Sequence, residues 1–191
     1  MSRVKSVPIV LVDSREGIPY LFLDYNIKTI PSTLKTGDYS IAIQLISKDE
    51  KSIKDYIMKY FGVTYTKELK FDIVEGKVST IIKFDKEISI ERKTLDNFTG
   101  DLTDNRDRFE DSVKRGIALR YYAIFIEGSE ADVIGHRYTS RIIPQSVLDT
   151  AIRWSVKYRS PIVFCDNRIN AEYHTFESLM GFIDYKKRGL L

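Results

Sequence analysis

The sequence predicts an α/β fold in which helices flank a central β-sheet. Short apolar runs typical of strands alternate with amphipathic segments of helical period, and this alternation extends over most of the 191 residues. Hydrophobic residues make up 43% and charged residues 30% of the chain, a composition typical of globular proteins. A chain of this length can bury a substantial core, so we expect a single domain over residues 1–191.

The first part of the predicted fold contains three strands and a short helix. Residues 7–12 form an almost continuous apolar run, which is typical of a strand buried on both faces. A Gly-Asp turn at 37–38 precedes a strand over residues 39–46. Residues 27–34 alternate loosely and predict a further strand, while residues 19–24 predict a short helix.

Residues 47–84 are interpreted as an insertion into this core. Ile53, Ile57 and Phe61 are spaced by four, which indicates an amphipathic helix. A Glu-Gly-Lys turn at 75–77 separates two apolar runs, as in a β-hairpin. The elements predicted here are a helix over 49–61 and hairpin strands over 71–74 and 78–84.

The second half alternates strands with longer helices. A strand over residues 88–93 precedes Thr94, a favoured N-cap residue, so a helix is predicted directly after it. Pro144 is tolerated in a first helical turn and starts a later helix. The remaining predicted elements are a charged helix over 105–119, a strand over 121–126, a helix over 144–158, a strand over 162–165 and a helix over 171–187.

Charge and cysteine content restrict the function classes. A formal net charge of +3 and a pI near 8.8 are compatible with a polyanionic partner but do not require one. The single cysteine, Cys165, excludes a disulfide within the chain and favours an intracellular location, cytoplasmic or with the nucleoid or nucleus. No apolar run reaches membrane-spanning length and residues 1–5 lack the apolar region of a signal peptide, so no membrane partner is expected.

Acidic residues fall at the ends of three predicted strands: Asp13 with Glu16, then Asp38, then Glu91 with Lys93. Glu91 and Lys93 share a face of their strand because side chains alternate along it. Ligands collect at the carboxyl ends of strands in open α/β sheets, and clustered carboxylates are tolerated where a cation offsets their repulsion. Oxygen ligands of this kind favour Mg²⁺ or Mn²⁺.

Three motifs in this order are specific in combination: Val-Asp-Ser-Arg-Glu at 12–16, Gly-Asp-Tyr at 37–39 and Ile-Glu-Arg-Lys at 90–93. Together they resemble the nuclease domain of the XPF family, including its Hef-like members, over nearly the whole chain. The family signature is Gly-Asp, a variable stretch, Glu-Arg-Lys, three residues and Asp. The resemblance implies a restriction-endonuclease-like core with a mixed central sheet. The tandem helix-hairpin-helix domain that usually follows is not expected within these 191 residues.

By this resemblance, the chain is expected to be a Mg²⁺- or Mn²⁺-dependent DNA endonuclease that cuts flap, fork or other branched DNA in repair or recombination. Asp38 and Glu91 are the expected direct metal ligands. Lys93 is expected to orient the attacking water or stabilise phosphate charge, and Arg92 to contact a phosphate or brace the acids. The expected catalytic residues are Asp38, Glu91, Lys93, Arg92, Asp13 and Glu16, and the expected metal-binding residues are Asp38, Glu91, Glu16 and Asp13.

DNA affinity is expected to come from basic residues near this site, although those on the helix over 105–119 equally suit a solvated face. A homodimer through the C-terminal helices, and a partner protein that supplies further DNA affinity, are implied by the resemblance. Trp154 is interpreted as a core residue, with a dimer face as the alternative. The candidate DNA-binding residues are Arg15, Arg106, Arg108, Lys114 and Arg115.

Two alternatives stay open. Asn97 stands where the family signature has its last Asp, and Asp96 lies one residue earlier, about 100° around a helix. This departure favours a nuclease-fold DNA-binding or scaffold subunit without catalysis. The second alternative is a junction resolvase or DNA-degrading nuclease with the same fold. The intact Asp38, Glu91 and Lys93 favour an active enzyme.

Overall fold

The computed structural model of the protein describes residues 3–62, 65 and 69–191. Within these residues, eight strands form one sheet and six α-helices pack around it. The strands are β1 (Lys5–Asp13), β2 (Lys28–Ser32), β3 (Tyr39–Ser47), β4 (Asp72–Val74), β5 (Lys77–Lys83), β6 (Ile88–Thr94), β7 (Tyr121–Glu127) and β8 (Ile162–Phe164). The helices are α1 (Glu50–Tyr60), α2 (Leu95–Asp101), α3 (Arg106–Gly116), α4 (Glu130–Ile134), α5 (Pro144–Tyr158) and α6 (Arg168–Lys187).

The sheet is mixed, with strand order β2-β1-β3-β6-β7-β8. β1 is parallel to β2 and antiparallel to β3, whereas β6, β7 and β8 are parallel to one another. β3 and β6 are in register only at Tyr39 and Ile90, because β3 pairs with β5 from Ala42 onward. The start of β3 therefore lies against the middle of β6.

Two large apolar clusters lie on opposite faces of the sheet. Residues of α1 and α6, including Ile53 and Leu179, pack with β1, β3 and β6 on one face. Residues of α2, α3 and α5 pack with β7 on the other face. Trp154 of α5 is 5% exposed and contacts Phe109, so it is a core residue and not part of a dimer face.

The predicted helices and strands are present, with two local differences. Residues 19–24 do not form the predicted helix, and only a single 3-10 turn, Leu23–Tyr25, occurs there. The predicted hairpin is confirmed, since Glu75 and Gly76 take the left-handed backbone conformation that two-residue hairpin turns require. α4 was not predicted, although Ser129 and Asp132 form a capping box at its start.

Residues 47–84, interpreted above as an insertion, pack closely on the core. β5 pairs with β3 over six residues and so extends the central sheet, while Ile53 and Ile57 of α1 are fully buried against it. Residues 63, 64 and 66–68 of this segment lie outside the described residues. Within residues 3–62, 65 and 69–191, no helix has both the length and the apolar character that crossing a membrane requires.

Candidate active site

The turn before β3 fixes the position of Asp38. Gly37 has a φ of 71°, and a Cβ atom there would lie 2.1 Å from Ser89 Oγ, so a side chain at this position would collide with β6. The backbone N–H of Asp38 donates to Ile90 O at 2.8 Å, and Asp38 Oδ2 accepts from the N–H of Arg92 at 2.7 Å. The Asp38 carboxylate is therefore held beside the end of β6.

Glu91 and Lys93 lie on the same face of β6, as the alternation of side chains predicted. Lys93 Nζ lies 3.1 Å from Glu91 Oε1, and both side chains are largely buried. The same ammonium lies 2.8 Å from Asp101 Oδ2, at the end of α2. Burial opposes the charged form of Lys93, but Glu91 and Asp101 outweigh it, so its pKa is raised and the side chain stays cationic.

Asp38 and Glu91 form an acidic pair that the protein does not neutralise fully. Burial, followed by the charge of Glu91, raises the pKa of Asp38 to about 8. Such a pair fits a hard divalent cation, whose charge would offset the repulsion and whose preferred ligands are oxygens. Among the residues that the structure describes, no three His, Cys, Asp or Glu side chains are grouped as a metal site. The remaining ligands of a cation here would be water and substrate, which is usual for Mg²⁺.

Glu16 and Asp13 follow β1 but have different surroundings. The charge of Glu16 contributes to the raised pKa of Asp38, and Glu16 Oε1 accepts from Arg92 Nη1 at 3.2 Å. In contrast, both carboxylate oxygens of Asp13 accept from Arg15, and Oδ2 also accepts from the N–H of Leu34 at 2.9 Å. The structure thus brings Glu16 to the acidic pair but directs the Asp13 carboxylate into the turn that carries Glu16.

Arg92 points away from Glu91, as strand alternation requires. Its guanidinium is bidentate to Glu127 at the end of β7, with distances of 2.7 and 3.0 Å. These hydrogen bonds raise the pKa of Arg92, and burial works against them. Because Arg92 also donates to Glu16, its side chain connects the turn after β1 to the end of β7. Glu127 was not predicted, although its place at the end of a strand beside β6 is a recognisable signal.

The sequence matches the ERCC4 domain over residues 12–176, most of the chain. The chain belongs to the ERCC4 domain family. This is a family of structure-specific nucleases that includes inactive members. A solved structure titled XPF from Aeropyrum pernix aligns with a TM-score of 0.55 and 18% sequence identity, over 92% of this chain and 61% of that chain. The fold is therefore the restriction-endonuclease-like α/β core. No curated protein matches the sequence.

The family signature ends in an Asp, and this ERCC4 domain has Asn97 at that position. Asn97 is exposed, and the carboxylate of Asp96 accepts from the N–H and hydroxyl of Thr139, at 2.7 and 3.0 Å. Asp101, which sequence reasoning missed, instead contacts Lys93. Residues four apart lie on the same side of a helix, so Asp101 is one turn beyond Asn97 on that side of α2. The (i, i+4) spacing is the signal that could have found it.

Only some of the predicted DNA-binding residues lie near the acidic pair of the ERCC4 domain. Arg108 and Arg115 line a cleft of about 290 Å³ together with Glu91, Lys93 and Asp101. This cleft gives access to the buried Lys93 side chain between α2 and α3.

The other three predicted residues are engaged elsewhere. Arg106 lies over the Trp154 ring at 5.4 Å, and Lys114 pairs with Asp111 at 3.1 Å on the exposed side of α3. Arg15 pairs with Asp13 through two hydrogen bonds, but the charges of Asp38 and Glu91 also contribute to its raised pKa, after that of Asp13.

Proposed function

We propose that this ERCC4 domain is a divalent-metal-dependent endonuclease that hydrolyses phosphodiester bonds in branched DNA. The observation that supports the proposal is the arrangement of Asp38, Glu91 and Lys93 at the junction of β3 and β6, with a carboxylate pair on one side and an ammonium 3.1 Å from Glu91 on the other. This arrangement suits a reaction in which a phosphate and an attacking water must be held beside a cation.

Asp38 and Glu91 are the residues that would hold Mg²⁺ or Mn²⁺, with Glu16 contacting the hydrated ion. When bound, the cation lowers the pKa of a water ligand and stabilises charge on the phosphoryl oxygens. Lys93 can donate hydrogen bonds to the attacking water or to a phosphate oxygen, because Glu91 and Asp101 keep its ammonium charged and oriented. Asp13 supports the site through the turn that it forms with Arg15.

Arg92 is proposed to act as a brace and not as a direct phosphate ligand. Its guanidinium donates to Glu127 and Glu16 and is mostly buried. The phosphate-contacting cations are instead Arg108 and Arg115, which line the cleft beside Lys93, and Arg15, which pairs with Asp13. Contacts of this kind position a DNA backbone without reading its sequence, which suits a nuclease that selects substrates by their structure.

A homodimer through the C-terminal helices is proposed as the assembled form. Ile152 and Val156, one turn apart on α5, are 64% and 76% exposed, and Ile169 at the start of α6 is 75% exposed. Ile152 and Val156 are neighbours at i, i+4, and adjacent exposed apolar side chains of this kind are often covered in an assembly. A partner protein that contributes DNA affinity remains part of the proposal.

The proposal is tested by incubating the chain with labelled flap, fork, four-way junction and plain duplex DNA. Cleavage of flap or fork DNA with Mg²⁺ or Mn²⁺, and none with EDTA, is the expected result. Cleavage in EDTA would contradict a metal mechanism, and a preference for the four-way junction or for plain duplex would favour resolution or DNA degradation. Binding without cleavage under every metal condition would favour the scaffold function that Asn97 suggests.

A further inference from the structure

One half of the central sheet has a face that no described helix covers. The apolar cluster on this face, which contains Ile9, Leu11, Leu34 and Ala42 with the partly buried Ile30, comes from strands and a loop. α1 and α6 pack against the opposite face of the same strands. The cluster itself is buried, since Ile9, Leu11 and Ala42 are 0% exposed and Leu34 is 2% exposed. A ligand on this side of the sheet would therefore meet the exposed polar side chains around the cluster.

Two lysines on this face follow from the strand register. Lys28 is directly opposite Ile9 in the β1–β2 pair, and Lys83 is directly opposite Ala42 in the β3–β5 pair. Paired residues in a sheet project to the same face, so both lysines lie on the side of the apolar cluster. Both are exposed, and Lys83 donates to Ser32 Oγ at 3.1 Å.

Two more lysines lie at the far end of the same face. Lys5 is opposite Ile46, which is four residues along β3 from Ala42 and so shares its face. Lys77 is two residues before Ser79, the β5 partner of Ile46, and shares that face for the same reason. The four strand lysines therefore project to one side of the sheet.

The far end also contains a cleft of about 410 Å³, lined by Arg3, Lys5, Lys48 and Lys77 with Glu75 as the acidic residue in its lining. Within the described residues, none of these cations forms an ion pair. We call the following residues the basic face: Arg3, Lys5, Lys28, Lys48, Lys77 and Lys83. Glu75 lines the cleft, Asp72 is paired with Ser79 and so projects to the same side, and the charge of Asp13 is balanced by Arg15.

The basic face lies on the same side of the sheet as Glu91 of the candidate active site. Tyr39 and Ile90 are paired, so Ser40 and Glu91, the next residue of each strand, both project to this side of the sheet. Lys5 lies eight residues before the end of β1 at Asp13, which at about 3.3 Å per residue corresponds to roughly 26 Å. Duplex DNA rises about 3.4 Å per base pair, so this distance corresponds to about 8 base pairs.

We propose that the basic face binds the phosphate backbone of one duplex arm of the DNA substrate, while the branch point lies at Asp38 and Glu91. This inference rests on the proposed function, because it specifies how the DNA substrate of that site is bound. The uncompensated cations match a polyanion, and they extend in line with the scissile position over a length that a duplex arm can occupy. Their flexible side chains favour binding that depends on charge and not on base sequence.

The experiment measures binding of forked DNAs by fluorescence anisotropy in EDTA, with duplex arms shorter and longer than about 8 base pairs. The test variant is Lys5→Gln with Lys77→Gln. The matched control is Lys51→Gln with Lys59→Gln on α1, which changes the net charge equally on the covered side of the sheet. Thermal unfolding of each variant checks its fold, and Lys5→Arg with Lys77→Arg checks that charge is the property required.

DNA affinity should increase once the duplex arm is longer than about 8 base pairs. This increase is expected for the wild type, the control variant and the arginine variant. The test variant should lose that gain, and its log–log salt slope should fall by about 1.8, or 0.9 for each phosphate contact. If the test variant keeps the length dependence and slope of the control, the proposal is wrong and the basic face serves another partner, such as an acidic protein. Because binding is measured in EDTA, this outcome is distinguishable from a failure of the proposed cleavage activity.

Discussion

The turns that carry Asp13 and Asp38 lie side by side, yet their carboxylates have opposite electrostatic states. The N–H of Asp13 donates to Asp38 O at 2.7 Å, so the two backbones are in direct contact. Hydrogen bonds from Arg15 lower the pKa of Asp13, whereas burial and Glu91 raise the pKa of Asp38 to about 8. A carboxylate whose charge the protein neutralises supports structure, and one whose charge remains uncompensated is ready to bind a cation.

The largest expected effect is on the rate of cleavage, which should depend on Asp38 and its neighbours but not directly on the Asp13 carboxylate. Asp38→Asn, Glu91→Gln and Lys93→Ala should each reduce the rate by about 10²–10⁴, the usual cost of losing a group that acts on the reacting atoms. Single-turnover cleavage of a labelled flap measures the loss, with binding in EDTA as the control for substrate affinity. Cleavage by Lys93→Ala at the wild-type rate would contradict the assignment.

Asp13→Asn should instead reduce stability, by about 1–3 kcal/mol, because it leaves buried hydrogen-bond donors less well satisfied. Since its pKa is lowered in the folded state, the contribution of Asp13 is present above its unfolded pKa and disappears as the pH falls through its folded pKa. The destabilisation, measured by thermal unfolding, should therefore be large at neutral pH and small in acid. A destabilisation that grows in acid would show that the Arg15 pair does not stabilise the turn.

Asp38→Asn should have the opposite effect on the metal-free protein. Its raised folded pKa means that the folded state holds a proton that the unfolded state has lost, so Asp38 lowers stability as the pH rises from its unfolded pKa to about 8. The melting temperature of Asp38→Asn should exceed that of the wild type at pH near this value and approach it in acid. Mg²⁺ should stabilise the wild type but not this variant. Equal stabilisation of both by Mg²⁺ would place the ion elsewhere.

Substitution of Asp101, the acid of α2 that contacts Lys93, should have a smaller effect on cleavage. Asp101→Asn should reduce the rate of cleavage about tenfold, which corresponds to about 1.4 kcal/mol in the activation free energy. The reason is that Lys93 loses one of the two carboxylate partners that orient it. Asp96→Asn is the matched control, since its carboxylate contacts Thr139 and not the site. Equal losses in the two variants would contradict the role of Asp101. Asn97→Asp tests whether the family position still adds activity.

The smallest expected effect concerns DNA affinity near the site. Arg108→Gln with Arg115→Gln should flatten the salt dependence of binding by about 1.8 log–log units, since each lost phosphate contact contributes about 0.9. Arg106→Gln with Lys114→Gln carries the same charge change but removes residues engaged by Trp154 and Asp111. Anisotropy titrations at several salt concentrations compare the two variants. Equal flattening would mean that the whole helix, and not its cleft side, contacts DNA.

Local patterns were sufficient for much of the fold. The apolar runs placed β1, β3, β7 and β8 close to their observed bounds, and Pro144 marked the first residue of α5. Residues 19–24 failed as a helix because Tyr20 and Phe22 are recruited into the core around Tyr39, where tertiary packing overrides local helical preference. The pairing of β5 with β3 was not predicted, because it joins residues more than thirty positions apart in the sequence.

The sequence by itself determined the fold family and the residues of the candidate site: two carboxylates and a lysine at strand ends, with the family signature around them. Only the tertiary structure decided which charges are neutralised inside the protein. The pairs Asp13–Arg15 and Glu91–Lys93 join residues two positions apart. In contrast, the approach of Asp38 to Glu91 and of Glu16 to Arg92 depends on the crossing of distant segments. The same limit applied to Asp101, whose link to Lys93 requires α2 to fold back across the end of β6.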